Sequence, residues 1–280
     1  MGLKNKVRIP MAPVVDWNEL WRVVRLASPL RGALDEFGYW ERRASRFDGS
    51  TMWGELTERQ MARIELKPEY TVLDVGAGTG RLTVPIAKRV RSVTAVEPSG
   101  GMLAHLREKM EREGVKNVVC VNKRWEEVEL GSDVGPHDLV IASHSLVMLD
   151  LWGALEKMNA AAKRRVYLFT FAGRMGGEGL WAAIYGEKYK GWETPDYLYA
   201  YNILHDMGIY ANVEIFDFEY EERYTSLEEA VARFKEVHSV PPEREEALRE
   251  YLSGILVSEG GALRQKRRRK VAMVWWRKEG

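Results

Sequence analysis

The sequence predicts an α/β fold, an open and mostly parallel sheet with helices on both faces, and three observations carry that prediction. Val72, Leu73 and Val75 make a short apolar run suited to a strand covered on both faces, interrupted near its carboxyl end by Asp74. Gly76, Gly78 and Gly80 follow at alternate positions, with Ala77 between the first two, so the backbone can turn sharply and let a ligand approach before a helix begins. A second strand over 92–96 ends in Glu97-Pro98-Ser99. Glu97 lies about 20 residues beyond Gly76, where a βαβ unit sets an acidic side chain against a ribose diol. A dinucleotide fingerprint fits less well, because its third glycine would fall on Arg81. The plain alternatives are a structural tight turn, a solvated Glu97 and a Met102 that is ordinary core.

The stretches D-V-G-A-G-T-G-R-L-T (74–83) and A-V-E-P-S-G-G-M-L (95–103) together resemble the class I methyltransferases that use S-adenosylmethionine, over roughly residues 68–171. The resemblance implies a Rossmann-like sheet of seven strands, the last antiparallel and inserted near one edge, with the cofactor across the carboxyl ends of the first strands. It implies that Asp74, Gly76, Ala77, Gly78 and Gly80 surround the methionyl part of S-adenosyl-L-methionine. Glu97, with Pro98 beside it, would hold the ribose, and Met102 would cover one face of the adenine.

Ahead of this core, 1–67 reads as a helical cap. Asp16-Trp17-Asn18-Glu19 resembles a capping box, with Trp17, Leu20, Trp21 and Val24 on one face of the helix it starts. Thr57 and Gln60 repeat the box, so a second helix is expected from Thr57. Between them, 37–48 is aromatic and basic; in the family a similar segment runs over the cofactor, which makes Trp40 and Arg43 candidates, against the alternative of an amphipathic packing helix. Beyond Glu97, Ser99 is an expected N-cap for a helix to about residue 113.

A third strand over 118–121 leads to Arg124 and Trp125, which stand where the family has a turn with an acidic adenine contact. Recognition would then fall to backbone N–H groups and the flat indole of Trp125, unless that ring is a core plug. A fourth strand from residue 137 runs into Ser143-His144-Ser145, beside the family's methyl-transfer position. There Ser143 is a cofactor candidate and His144 a candidate base, since its ordinary pKa lies near neutrality; a loop-orienting histidine is the alternative. After a fifth strand (166–171), residues 172–210 collect Trp181, Tyr185, Tyr189, Trp192, Tyr197, Tyr199 and Tyr201. This segment reads as a lid with aromatic walls, or as an insertion whose aromatics pack on the sheet. Residues 211–280 supply a sixth strand, helices from about Ser226 and Pro242, and a last strand over 271–276 that completes the same domain.

Composition narrows the function classes. The 280 residues are 45% hydrophobic, enough for a large core, and 30% charged with two glutamines, Gln60 and Gln265, a weak lean towards a thermophile. The lone Cys120 and five unpaired histidines leave no disulfide or metal-ligand spacing, and no targeting or membrane-spanning segment is evident, so a cytoplasmic enzyme without metal is expected. Net charge is +1, yet Arg264 and Lys266 to Lys270 form a basic run that is either a solvated strand edge or a surface that follows phosphates. The proline-proline-aromatic signature of amino-directed nucleic-acid methyltransferases is absent after Ser143. The expectation is therefore an S-adenosylmethionine-dependent methyltransferase with a small-molecule acceptor, nucleic acid not being favoured. An RNA or protein acceptor, or a non-catalytic module that binds S-adenosylmethionine, is the alternative. Oligomeric state is not written in the sequence.

Overall fold

β-Branched, apolar segments separated by amphipathic helices fold into one mixed sheet. In the computed structural model, described for residues 15–27, 40, 52–173, 178–186, 195–238 and 240–278, its strand order is β3-β2-β1-β4-β5-β8-β6. β1 (Thr71–Val75), β2 (Ser92–Val96), β3 (Val118–Val121), β4 (His137–Ser143) and β5 (Ala162–Phe171) are parallel. β8 (Ala262–Arg277) is antiparallel to both β5 and β6 (Asn212–Tyr224). From β1 the chain winds outward to β3 and then returns to β4 on the other side. That reversal opens a crevice at the carboxyl ends of β1 and β4.

The two-residue period of β1 sends Leu73 and Val75 into one apolar layer and Val72 into the other. The first layer holds α1 (Trp17–Ala27), α5 (Leu151–Ala161) and α7 (Asp196–Asp206). The second holds α2 (Met52–Met61), α3 (Thr83–Ala87) and α4 (Gly100–Arg112). β5 pairs with β8 only as far as Phe171 and Val271, whereas β6 and β8 stay paired out to Tyr224 and Leu263. The outer halves of β6 and β8 therefore run past the carboxyl end of β5 as a two-stranded ribbon. A third apolar cluster lies against it, built from α6 (Glu178–Tyr185), α8 (Leu227–His238) and α9 (Glu245–Ile255) and containing Leu180, Tyr224, Phe234 and Leu248.

Several elements differ from the sequence expectation. The sheet has an eighth strand, the short β7 (Val257–Glu259), which hairpins onto β8, and β8 itself begins nine residues before the expected Val271. α2 begins at Met52, so Thr57 is not a cap. Its hydroxyl donates to the Trp53 carbonyl at 2.5 Å, the back-bond of a mid-helix threonine. Asp16 does cap α1, accepting from the Glu19 N–H at 2.9 Å, and Ser99 caps α4 through the Met102 N–H at 3.1 Å. Within 172–210, α7 is a sheet-facing helix: Tyr199, Ala200, Ile203 and Leu204 are buried among the residues of the first layer. No helix of the described residues is long and apolar enough to cross a membrane.

Candidate active site

The three glycines of the loop after β1 do different jobs. All have left-handed backbone, with φ +73, +57 and +80. A Cβ on Gly76 would stand 2.3 Å from the Ser145 Cβ, and one on Gly80 would stand 2.2 Å from Leu106 Cδ1, so these two positions are closed by the protein itself. A Cβ on Gly78 would meet nothing within 4 Å, because that residue faces the crevice. The N–H groups of Gly76 and Ala77 both donate to the Val96 carbonyl, at 2.8 and 3.0 Å, which ties the loop to β2.

That tie brings Glu97 under the loop. Its Oε2 accepts from the Gly78 N–H and its Oε1 from the Ser99 N–H, both at 2.9 Å, so the carboxylate is oriented where it lines the crevice. Asn122, at the end of β3, holds the same corner by donating to the carbonyls of Glu97 and Pro98 at 2.9 and 2.8 Å. Asp74 lies in the crevice wall and accepts the Thr83 hydroxyl at 2.6 Å. Burial pushes its carboxyl up to about 6, outweighing the Thr83 hydrogen bond and the nearby Arg81 charge, which act in the opposite direction.

The crevice is one continuous cleft of about 1220 Å³, open space at its mouth included. At one end lie Pro98, Met102, Arg124 and Trp125; at the other lie Trp53, Arg81, Ser143 and His144, with Trp40 also in the wall. Trp125 belongs both to the core and to the cleft wall. It is buried in the first layer and donates Nε1–H to the Ala154 carbonyl at 3.1 Å, while part of the ring lines the cleft. Arg43 lies outside the described residues.

At the end of β4 a polar network replaces the apolar wall. Ser143 Oγ accepts from Arg81 Nη2 at 2.9 Å and Gln60 Nε2 at 3.1 Å, and Arg81 Nη1 donates to Thr57 at 3.0 Å. Gln60 and Arg81 were not candidates from the sequence. The only hints were a glutamine inside the apolar stripe of α2 and an arginine where a dinucleotide loop needs glycine.

His144 is the one non-glycine with positive φ (+55) among the described residues, and its N–H is fixed by the Phe169 carbonyl at 2.8 Å. Its ring packs on Phe171 at 4.2 Å between centroids, and its Nε2 is buried without a hydrogen-bond partner among the described residues. Burial, with Arg81 and Arg269 adding to it, holds the imidazole well below its usual pKa, so it is neutral at physiological pH. Among the described residues no group of three or more His, Cys, Asp or Glu could hold a metal ion.

Comparison with known proteins agrees with this geometry. The family model described as a methyltransferase domain matches residues 72–165, the span from β1 into β5. An uncharacterized protein of Haemophilus influenzae is 31% identical over 188 residues, covering 64% of this chain and 68% of its own. The chain belongs to the class I S-adenosylmethionine-dependent methyltransferases. Among solved structures, the YcgJ protein of Bacillus subtilis aligns with a TM-score of 0.55 at 14% identity, covering 80% of this chain and 98% of that one. A Bacillus halodurans protein assigned to the methyltransferases aligns with a TM-score of 0.53 at 17% identity, covering 81% and 100%. These two likenesses concern the fold. A shorter match, 40% identical over 57 residues, is to the 23S rRNA (uracil(1939)-C(5))-methyltransferase RlmD of Xanthomonas campestris, and spans 20% of this chain and 13% of that enzyme.

As a class I methyltransferase the chain takes S-adenosylmethionine as its cofactor. The open face at Gly78, the oriented Glu97 carboxylate and the flat apolar surfaces of Met102 and Trp125 fit such a molecule on this structure's own terms. Two other stretches singled out in the sequence have defined surroundings in the methyltransferase. None of the described aromatics of 172–210 lines the cleft: Trp181 stacks on Tyr185 at 5.9 Å and meets His238 edge-on at 5.7 Å. The basic run is largely neutralised by acidic residues of β6. Arg264 reaches Glu221 at 3.6 Å, Arg267 reaches Glu222 at 3.0 Å, and Arg268 and Lys270 share Asp217.

Proposed function

We propose that this methyltransferase acts on a small-molecule acceptor seated between the end of β4 and the β6–β8 ribbon. The observation that carries the reading is the continuity of one cleft from the Glu97 corner to Ser143 and His144, with Trp53 and Arg81 also in its wall. S-adenosylmethionine supplies a methyl group already activated on a sulfonium, so the chain needs to align the acceptor, exclude water and manage at most one proton. In the proposed arrangement Glu97 accepts the ribose hydroxyls, while Met102 and Trp125 flank the adenine with Pro98 and Arg124 at its edge. Gly76, Ala77, Gly78 and Gly80 shape the loop around the methionyl part beside Asp74, and Trp40 covers it. Arg43 is retained as a methionyl carboxylate partner on the family resemblance alone.

Ser143, held by Gln60 and Arg81, fixes the end of β4. His144 stands beside the acceptor as a neutral imidazole. Since burial disfavours its protonated form, it orients the acceptor or passes a proton onward instead of storing one. The pairing of the basic run with β6 speaks against a phosphate-tracking surface, because an ion pair already made leaves less charge to release counterions. The test is incubation of the protein with methyl-labelled S-adenosylmethionine and a cell extract separated by size. Label in the low-mass fraction is expected; label in RNA or protein would refute the small acceptor, and no label in any fraction would favour a binding-only module.

A further inference from the structure

Arg269 is unlike its neighbours in the ribbon. Arg264, Arg267, Arg268 and Lys270 each have a carboxylate partner, and Lys266 is exposed on the outer face with Arg268 and Lys270. Arg269 is partly buried on the inner face, and among the described residues no carboxylate lies within ion-pair distance of it. Its Nε–H donates to the Tyr220 hydroxyl at 2.9 Å, and its guanidinium carbon sits 5.2 Å from the Phe171 ring and 5.9 Å from the Tyr220 ring.

These contacts orient the planar group and use one of its five N–H bonds, leaving the donors of the Nη edge to a ligand. A guanidinium cannot shed its charge when buried, so a partly desolvated one without an anion is a site arranged for one. Position adds to chemistry. Val271 pairs with Phe171 at the end of β5, so Arg269, two residues before it, stands just past the carboxyl end of β5. The Phe171 ring it packs on is the same ring that packs on His144 at 4.2 Å, and the buried Nε2 of His144 lacks a partner among the described residues. Two polar groups with unused hydrogen-bonding capacity thus flank one aromatic ring, and one of them, His144, lines the cleft.

We propose that the methyl acceptor is an oxyanion-bearing small molecule, whose carboxylate or phosphate group binds the Nη edge of Arg269 while its nucleophilic atom is presented beside His144. This rests on the small-acceptor reading above and adds the chemical class. An anion held there would keep the acceptor in one orientation relative to the Ser143–His144 end of β4, where alignment is the main source of rate.

The test uses the full-length protein saturated with S-adenosylhomocysteine and measures binding of benzoate, phenyl phosphate and the uncharged control benzamide by calorimetry. Benzoate or phenyl phosphate is expected to bind and benzamide not to, the tighter of the two acids telling a carboxylate site from a phosphate site. Arg269→Gln should weaken the acid by about 10- to 100-fold, the worth of a charge-assisted hydrogen bond, and leave S-adenosylhomocysteine affinity unchanged. Arg269→Lys, which keeps charge but loses the planar fork, should fall between, and carries the test if Arg269→Gln does not fold. Equal acid binding by wild type and both variants, or no acid binding by a wild type that takes up S-adenosylhomocysteine, overturns the proposal. So does Arg269-dependent binding of a short RNA in place of the acids. Failure to bind S-adenosylhomocysteine would instead strike the functional reading on which the proposal rests.

Discussion

Replacing the three loop glycines by alanine one at a time should separate folding from binding, although the sequence presents them as one motif. An alanine forced into left-handed backbone costs about 1–2 kcal/mol, and this charge falls on all three positions alike. At Gly78 nothing more is added, because the new methyl enters open space. At Gly76 the methyl meets Ser145 Cβ at 2.3 Å, next to a backbone fixed by the Ser145 hydroxyl donating to the Val75 carbonyl at 2.6 Å, so β4 and β1 must separate. At Gly80 it meets Leu106 Cδ1 at 2.2 Å, on a fully buried side chain with little room to turn. Overpacking of this kind costs about 1–3 kcal/mol more.

Gly78→Ala should therefore lose about 1–2 kcal/mol of stability, and Gly76→Ala and Gly80→Ala about 2–5 kcal/mol. Gly78→Ala should nevertheless show the clearest binding defect, since its methyl occupies the surface a ligand must approach, with S-adenosylhomocysteine affinity reduced about 10-fold or more. Urea melts give the first quantity and calorimetry on the folded variants the second. Gly78→Ala as unstable as Gly76→Ala, or binding S-adenosylhomocysteine like wild type, would refute the division of roles.

Further outcomes follow from the same geometry. Glu97→Ala removes the acceptor of two backbone N–H groups as well as the proposed ribose contact, and should weaken S-adenosylhomocysteine by about 100-fold with a smaller loss of stability; equilibrium binding checks it. Asp74 titrates near 6 in the folded protein against 3.8 ordinarily, so the folded state holds a proton more tightly than the unfolded one and stability falls as pH rises from about 4 through 6. Asp74→Asn should remove that slope and make the cofactor-free protein more stable at pH 8 by up to about 3 kcal/mol, while weakening cofactor binding; urea melts at pH 5 and pH 8 decide. The lowered pKa of His144 has the opposite sign: its contribution to stability is lost as pH falls below 6.5, where the unfolded chain gains a proton that the native site refuses. Its imidazole should stay neutral in NMR titration down to pH 5.5, and an activity limb near 6.5 that vanishes in His144→Gln would contradict this. Arg267→Ala leaves the Glu222 carboxylate with the Tyr224 hydroxyl as its remaining neutral partner in a largely buried position, and should cost about 3 kcal/mol in a chemical melt.

The features legible before folding are those written over a short span of chain. The β-branched runs, the glycine turn, the Ser99 cap and the distance from Gly76 to Glu97 are local, and each fixes a backbone conformation or a βαβ spacing without help from elsewhere. They were enough for the fold class, the family and the identity of the cofactor.

Much of the site depended on partners far apart in sequence. Gln60 reaches Ser143 across 83 positions, Ser145 closes on Gly76, and Asn122 braces the Glu97-Pro98 corner from the next strand. The basic run read either as a solvated edge or as a surface for phosphates because its carboxylate partners sit on β6, and only the register of β6 against β8 brings them opposite. That register also leaves Arg269 facing inward without a carboxylate among the described residues. The aromatics of α7 read equally as lid or as core until the sheet offered that helix an apolar face to cover. Element type is set by steric and hydrophobic preferences that act between near neighbours. Which charge meets which carboxylate, and which glycine meets a ligand instead of a side chain, is set by strand pairing and layer packing, and these exist only once the chain has folded.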